Sequence, residues 1–171
     1  SRVYLYMGEW AKSLEASQAV LQMNDQLVDM SSSTVLPNEY NSPENILALE
    51  QVMTAQYVRA AKVNTTLWKM YTSSDLRRSK YFNQVTVSNI LVAKGGSNQY
   101  SCSFRVGEIY LNAAEAALMT GESAIPAART YLLTLIKQRY KAAAYTEKET
   151  AINAMGRDEL LQEIYDERTR E

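Results

Sequence analysis

Two carboxylates seven residues apart, Glu108 and Glu115, with Arg105 three positions before the first, have the residue types and spacing that could do chemistry. On one helix such a pair could act as acid and base in a hydrolase, since glycosidases work with two carboxyl groups. Ion pairing between helices competes with that reading and is the stronger one. Glu115 stands among Ala113, Ala114, Ala116 and Ala117, so it faces a neighbouring helix and needs a cation such as Arg139 or Arg168. Glu115, Arg139 and Arg168 are therefore expected to be structural ion-pair residues.

Histidine is absent and Cys102 is the single cysteine, which removes His-dependent triads, the usual zinc sites and any internal disulfide. No metal and no cofactor is expected. Cys102 reads as a small packing residue rather than a nucleophile, because a catalytic thiolate needs an activating partner whereas a packed thiol needs none. Gly95-Gly96 lacks the Lys-Ser/Thr and the following helix that a phosphate loop needs. Asp75-Leu76-Arg77-Arg78 reads as a solvated or salt-bridged turn.

Aromatic side chains offer binding chemistry instead. The chain has 12 Tyr against 2 Trp and 2 Phe, and tyrosine suits half-wet surfaces because its ring packs while its hydroxyl stays hydrated. Trp68, Tyr71, Tyr81, Phe82 and Tyr100 all fall in one irregular stretch, where binding residues are commonly displayed on a rigid scaffold. Trp68, Tyr71, Tyr81 and Tyr100 are the candidate ligand-binding residues, with stacking on sugar rings as their chemistry. The competing reading is that Trp68 and Tyr71, at helical spacing, plug a satellite core.

The elements that must position these residues are mostly helical. At 171 residues, 46% hydrophobic, with 18 basic and 19 acidic side chains and a net charge of -1, the chain suits a single domain with one sizeable core. That charge balance gives no reason to expect nucleic acid as a partner. No stretch reaches the length of an apolar membrane span, and the first ten residues lack the basic and apolar regions of a signal peptide.

Residues 1–29 read as a helical hairpin turning at Gly8-Glu9, with Val3, Tyr6, Met7 and Trp10, then Leu14, Val20 and Leu21, as its apolar positions. Residues 103–140 repeat that grammar: an alanine-rich helix ends at Gly121-Glu122, and a second begins with Ser123 as N-cap and Pro126 in its first turn. Alanines let two helix axes approach closely, as stacked hairpins require. A Ser-, Asn- and Pro-rich loop leads to an expected helix over 43–62 opened by Pro43, and 63–102 is an irregular excursion with short strands near Tyr81–Val87. Residues 157–171 place Leu160, Leu161, Ile164 and Tyr165 on one stripe and read as a helix cut short. The fold class is mainly α: tetratricopeptide-like hairpins with a loop-rich insertion.

"SFRVGEIYLNAAEAALMTGE", "LLTLIKQRY" and "RDELLQEIYDERTRE" resemble the C-terminal part of SusD/RagB-type outer-membrane nutrient-binding lipoproteins of Bacteroidetes. Arg105, Glu108, Tyr110, Leu111, Ala114, Glu115, Ala116, Gly121, Arg139, Glu167, Arg168 and Glu171 match that pattern in order, and "SPENIL" and "SDLRRSKYF" resemble the segments before it. Lys137 and Tyr140 depart from it. The resemblance implies a SusD-like fold and no enzymatic activity. It implies a protein on the extracellular face of the outer membrane, lipid-anchored in its full-length form, which captures an oligosaccharide or a peptide for a SusC-like TonB-dependent transporter. It transfers no binding residue, because the matched positions read as scaffold. A plain tetratricopeptide-like protein-interaction module is the alternative.

Overall fold

The computed structural model describes residues 1–50, 62–87, 89–92 and 100–171, with the side chains of residues 50 and 100–103 outside that description. The chain opens on helices α1 (Arg2–Tyr6) and α2 (Trp10–Met23). Gly8 turns one into the other at φ +73, a left-handed conformation that a side chain would resist. The expected apolar face is displaced on α1, where Val3, Tyr6 and Met7 are exposed and Leu5 is the buried residue. On α2 the residues buried fully are Ser13 and Ser17, one turn apart, with Ser17 Oγ donating to the Ser13 carbonyl at 2.8 Å. Small side chains make this contact, so hydrophobicity alone misses it.

Two short helices, α3 (Thr65–Lys69) and α4 (Arg77–Lys80), precede the organising element, α5 (Val106–Thr120). It is buried along nearly its whole length because α2, α6 (Ile125–Lys137) and α8 (Arg157–Arg170) all pack on it. Ala113, Ala114, Ala116 and Ala117 have no exposed surface, as close helix approach on several sides demands. Gly121, at φ +139 and ψ 173, ends the helix in a backbone region open essentially to glycine. A short 3-10 turn over Glu122–Ala124 follows, so Ala124 rather than Ser123 caps α6, with Pro126 in its first turn. Helix α7 (Ala142–Ala154) buries Ile152 alone, too thin an apolar face to stand out as a periodic pattern.

The helix expected over 43–62 is corrected in its first part. Asn45–Glu50 is strand β1, antiparallel to β4 (Tyr100–Arg105) with Asn45 opposite Arg105 and Ala48 opposite Cys102; the rest of that stretch lies outside the described residues. Local preference in "NILALE" favours a helix, but the start of the segment is held from three directions. The Glu44 carbonyl accepts the Val106 N–H at 2.8 Å, Asn45 Nδ2 donates to the Tyr40 carbonyl, and the Glu44 carboxylate is bound by Arg139. Tertiary pairing overrides propensity here. Within the expected short-strand region Tyr81–Val87 there is one strand, β2 (Phe82–Thr86), and it pairs antiparallel with β3 (Asn89–Val92), which lies beyond that region. Gly95-Gly96 lies outside the described residues.

A main core gathers Val106, Leu111, Leu118, Leu132, Ile136 and Ile164 around α5. A second cluster of Val28, Met30, Tyr71, Tyr81, Phe82 and Ile90 sits under the excursion.

Candidate functional site

The charged residues of the helical motifs meet in one buried cluster. Arg77, fully buried, donates through Nη1 to Glu167 at 2.6 Å and to Glu171 at 2.8 Å, while its Nε and Nη2 hold the two oxygens of Asp75 at 2.9 and 2.8 Å. Arg139, also fully buried, donates through Nη2 to both Glu44 oxygens at 2.8 and 2.9 Å, through Nε to Glu171, and through Nη1 to the Val28 carbonyl. Arg105 adds a third guanidinium on Glu171 at 3.1 Å. One carboxylate at the end of α8 thus draws together arginines from α4, from the end of β4 and from the residue pair after α6.

Burial alone would pull the Arg77 and Arg139 guanidinium groups down, but the facing carboxylates hold both above their ordinary range. Desolvation likewise opposes ionisation of Glu171, and is outweighed by Arg139, Arg105 and Arg77, which place it well below the usual carboxylate range. Glu167 is lowered in the same way by Arg77 and Arg170. Glu44 moves in the opposite direction: its desolvation, reinforced by the nearby Glu171 charge, outweighs Arg139 and pushes it up. Gly107 leaves room for the cluster, since a Cβ there would stand 3.1 Å from Glu171 Oε2 and 3.2 Å from Glu44 Oε2. A cluster buried at Arg77 and Arg139, with each carboxylate paired to a guanidinium, has the character of scaffold, and it meets the surface at Arg105 and Glu171, which line a small pocket with Arg2, Glu108 and Arg168.

The opening carboxylate pair resolves similarly. Glu115 accepts from Arg168 Nη2 at 2.7 Å, with Arg168 Nη1 on Asn112 Oδ1 at 2.9 Å. Glu108 pairs with Arg2. Each carboxylate holds its own arginine, and Arg139 pairs with Glu44 and Glu171 rather than with Glu115.

A different arrangement appears at the surface of the excursion. A cleft of about 550 Å³ is lined by Trp68, Ser73, Arg78, Ser79, Gln84 and Lys141. Two backbone hydrogen bonds build it by tying the loop before α4 to the residues after α6: Leu76 N–H to the Arg139 carbonyl at 2.9 Å, and Lys141 N–H to the Ser74 carbonyl at 3.0 Å. Asn64 Oδ1 accepts from the Thr66 N–H and so caps the short helix that carries Trp68. The Trp68 ring meets Phe82 edge-on at 5.6 Å and carries the Arg78 guanidinium at 4.3 Å from its centroid. One aromatic wall flanked by hydroxyl, amide and cationic side chains can receive a polyhydroxylated ligand: apolar ring faces pack on the indole while hydroxyls find partners.

The four aromatic candidates do not act together. Trp68 is half-buried at this cleft. Tyr71 and Tyr81 are 2% and 0% exposed, Tyr71 with its hydroxyl donating to the Arg170 carbonyl at 2.6 Å, so neither ring can stack on a ligand in this conformation. Burial pushes both phenols above their ordinary range. Tyr100 belongs to β4, and its side chain lies outside the described residues. Arg78, Gln84 and Lys141 were not among the expected residues; Arg78 was visible only as half of a dibasic pair, and Lys141 is brought in by a contact between distant segments.

The model of the SusD family matches residues 10–171. Two solved structures share the fold over 99% of this chain: a SusD-like carbohydrate-binding protein from Bacteroides vulgatus at 18% identity and TM-score 0.70, and a SusD superfamily protein from Bacteroides thetaiotaomicron at 22% identity and TM-score 0.72. The chain spans 40% and 44% of those two proteins. The curated proteins contain no match to it.

Proposed function

This chain belongs to the SusD family, and on that premise we propose that it is part of a cell-surface binding protein, not an enzyme, that captures an oligosaccharide. The observation that supports this reading is the Trp68 cleft, where an aromatic wall stands beside hydroxyl, amide and cationic groups. The carbohydrate-binding description of the Bacteroides vulgatus protein points the same way. Captured ligand would pass to a SusC-like TonB-dependent transporter, with the protein held by a lipid anchor at the extracellular face of the outer membrane. None of the described helices is long and apolar enough to cross a membrane.

Calorimetric titration of an oligosaccharide panel against the protein and its Trp68→Ala variant tests the reading. Saturable binding that the substitution abolishes supports glycan capture at this cleft. Binding that survives Trp68→Ala removes Trp68 from the site, and absence of binding to every glycan removes the reading itself. The burial of Tyr71 and Tyr81 in a satellite core favours a second reading, a helical interaction module that docks protein partners or takes a peptide. That reading gains if peptides, but no glycans, give a saturable signal.

A further inference from the structure

Arg78 differs from most of the described arginines. Arg2, Arg77, Arg105, Arg139, Arg157, Arg168 and Arg170 each reach a carboxylate, and Arg129, which donates to the Met155 carbonyl, does not line the Trp68 cleft. Arg78 reaches none among the described residues. Its Nη1 donates to the Tyr71 carbonyl at 2.7 Å, and its Cζ stands over the Trp68 ring at 4.3 Å from the centroid. A guanidinium has five N–H donors in a fixed fork, so this anchoring orients the group and leaves donors directed to something else.

The acidic residue nearest in sequence does not answer that charge. Asp75 borders the same cleft but is 2% exposed, and both of its oxygens are taken by Arg77. Lys141, which also lines the cleft, is exposed and forms no ion pair among the described residues. The cleft therefore presents two cations and one carboxylate already neutralised from behind. A neutral sugar gives an oriented fork of donors only hydroxyl oxygens to bind. An ionised carboxylate or sulfate ester matches the fork in both charge and geometry.

We infer that the Trp68 cleft selects an acidic saccharide, its uronate carboxylate or sulfate ester seated on Arg78, with Lys141 as the second cation and the sugar ring against Trp68. This rests on the proposed glycan capture and narrows it to a ligand class. Arg78 is the specificity-determining residue, while Trp68 serves any sugar that enters.

The test is calorimetric titration with matched oligosaccharides that differ only in charge: a neutral glucan, the oligoglucuronate of the same linkage, and the sulfated glucan, each against the parent, Arg78→Gln, Arg78→Lys, Lys141→Gln and Trp68→Ala. The parent should bind at least one charged ligand more tightly than the neutral one. Arg78→Gln should weaken that ligand about ten- to hundredfold, the loss of one charge-assisted contact, and leave the neutral ligand nearly unchanged. Arg78→Lys should recover part of the loss, and Lys141→Gln should show a smaller loss together with a shallower salt dependence. Whether the uronate or the sulfate binds identifies the group seated on Arg78.

Equal affinity for neutral and charged ligands in the parent, or an Arg78→Gln variant that binds the acidic ligand as the parent does, overturns the inference. If Trp68→Ala still abolishes binding in that case, glycan capture stands without charge selection. Failure of all ligands to bind the parent overturns both readings. A thermal melt of each variant shows whether a lost signal reflects a lost fold, and Lys141→Gln, at an exposed position, tests charge selection independently of Arg78.

Discussion

Arg77 and Arg78 are neighbours in sequence and opposites in circumstance. Arg77 is wholly buried and bonded to Asp75, Glu167 and Glu171; Arg78 lies on the wall of a cleft, held by a carbonyl and an indole face, without a carboxylate among the described residues. The same side chain therefore does two kinds of work. Where the sequence pattern is most specific, the charges lock helices to one another; where it is least specific, a guanidinium stands at a cleft without a carboxylate among the described residues. A strong motif here marks the cost of burying charge, which demands fixed partners, and not the place of binding.

The comparison is broken most severely by removing an inner guanidinium. Arg77→Met should destabilise the protein by about 3–5 kcal/mol, since buried Asp75 loses its guanidinium and Glu167 and Glu171 each lose one of theirs. Urea denaturation at neutral pH measures it, and a loss comparable to that of a surface arginine would show that the cluster is not sealed. Gly107→Ala attacks the same cluster by size. Helix propensity favours alanine by about 1 kcal/mol, but a methyl 3.1 Å from Glu171 Oε2 and 3.2 Å from Glu44 Oε2 pushes two ion-pair carboxylates off their arginines. Overpacking costs about 1–3 kcal/mol, so a net loss is expected; a gain in the melting temperature would mean that the cluster yields easily.

Acid sharpens the contrast between carboxylates inside the cluster. Glu167 and Glu171 are held below their ordinary values, so their stabilisation is present above the unfolded carboxylate range and is lost as pH falls through their folded values. Glu44 is raised, so its ionisation opposes folding as pH climbs through its folded value and the penalty is absent below the unfolded one. Glu44→Gln should consequently cost less at neutral pH than Glu171→Gln. Denaturation curves across the acid range check both signs, and equal losses would contradict the opposed shifts. Glu115→Ala comes next, at about 1–2 kcal/mol, because Arg168 remains partly in solvent and screening discounts the pair. An unchanged melting temperature would remove its role in fixing the helices.

How much of this could be read from the residues depends on the range of the interactions involved. Helices α5, α6 and α8 were legible because apolar and alanine positions recur at helical spacing, and the left-handed turn at Gly8 was marked by its residue type. β1 was not, because its strand state is imposed by β4 from the far end of the excursion and by the clamps on Glu44 and Asn45. Pairing partners were half legible: Glu115 was expected to take Arg139 or Arg168 and takes Arg168, whereas Glu44 for Arg139 required knowing which loop crosses the helix ends. Among the aromatic candidates, composition identified the region but could not distinguish Trp68, at a cleft, from Tyr71 and Tyr81, which fill the core beneath it.

The smallest expected effect on stability is that of Arg78→Gln, and it carries the comparison furthest. Loss of the bond to the Tyr71 carbonyl and of the stacking on Trp68 should cost under about 1 kcal/mol at this half-buried position, a fraction of the loss at Arg77. Evolution of a fold tolerates a well-oriented but unanswered guanidinium poorly unless something repays the orientation, because holding a long side chain in place has an entropic cost. If urea denaturation gives Arg78→Gln a loss as large as Arg77→Met, then Arg78 is a further member of the lock and its orientation needs no ligand. If the loss is small, Arg78 stands outside the lock, and the titrations with charged glycans decide whether its orientation serves a ligand.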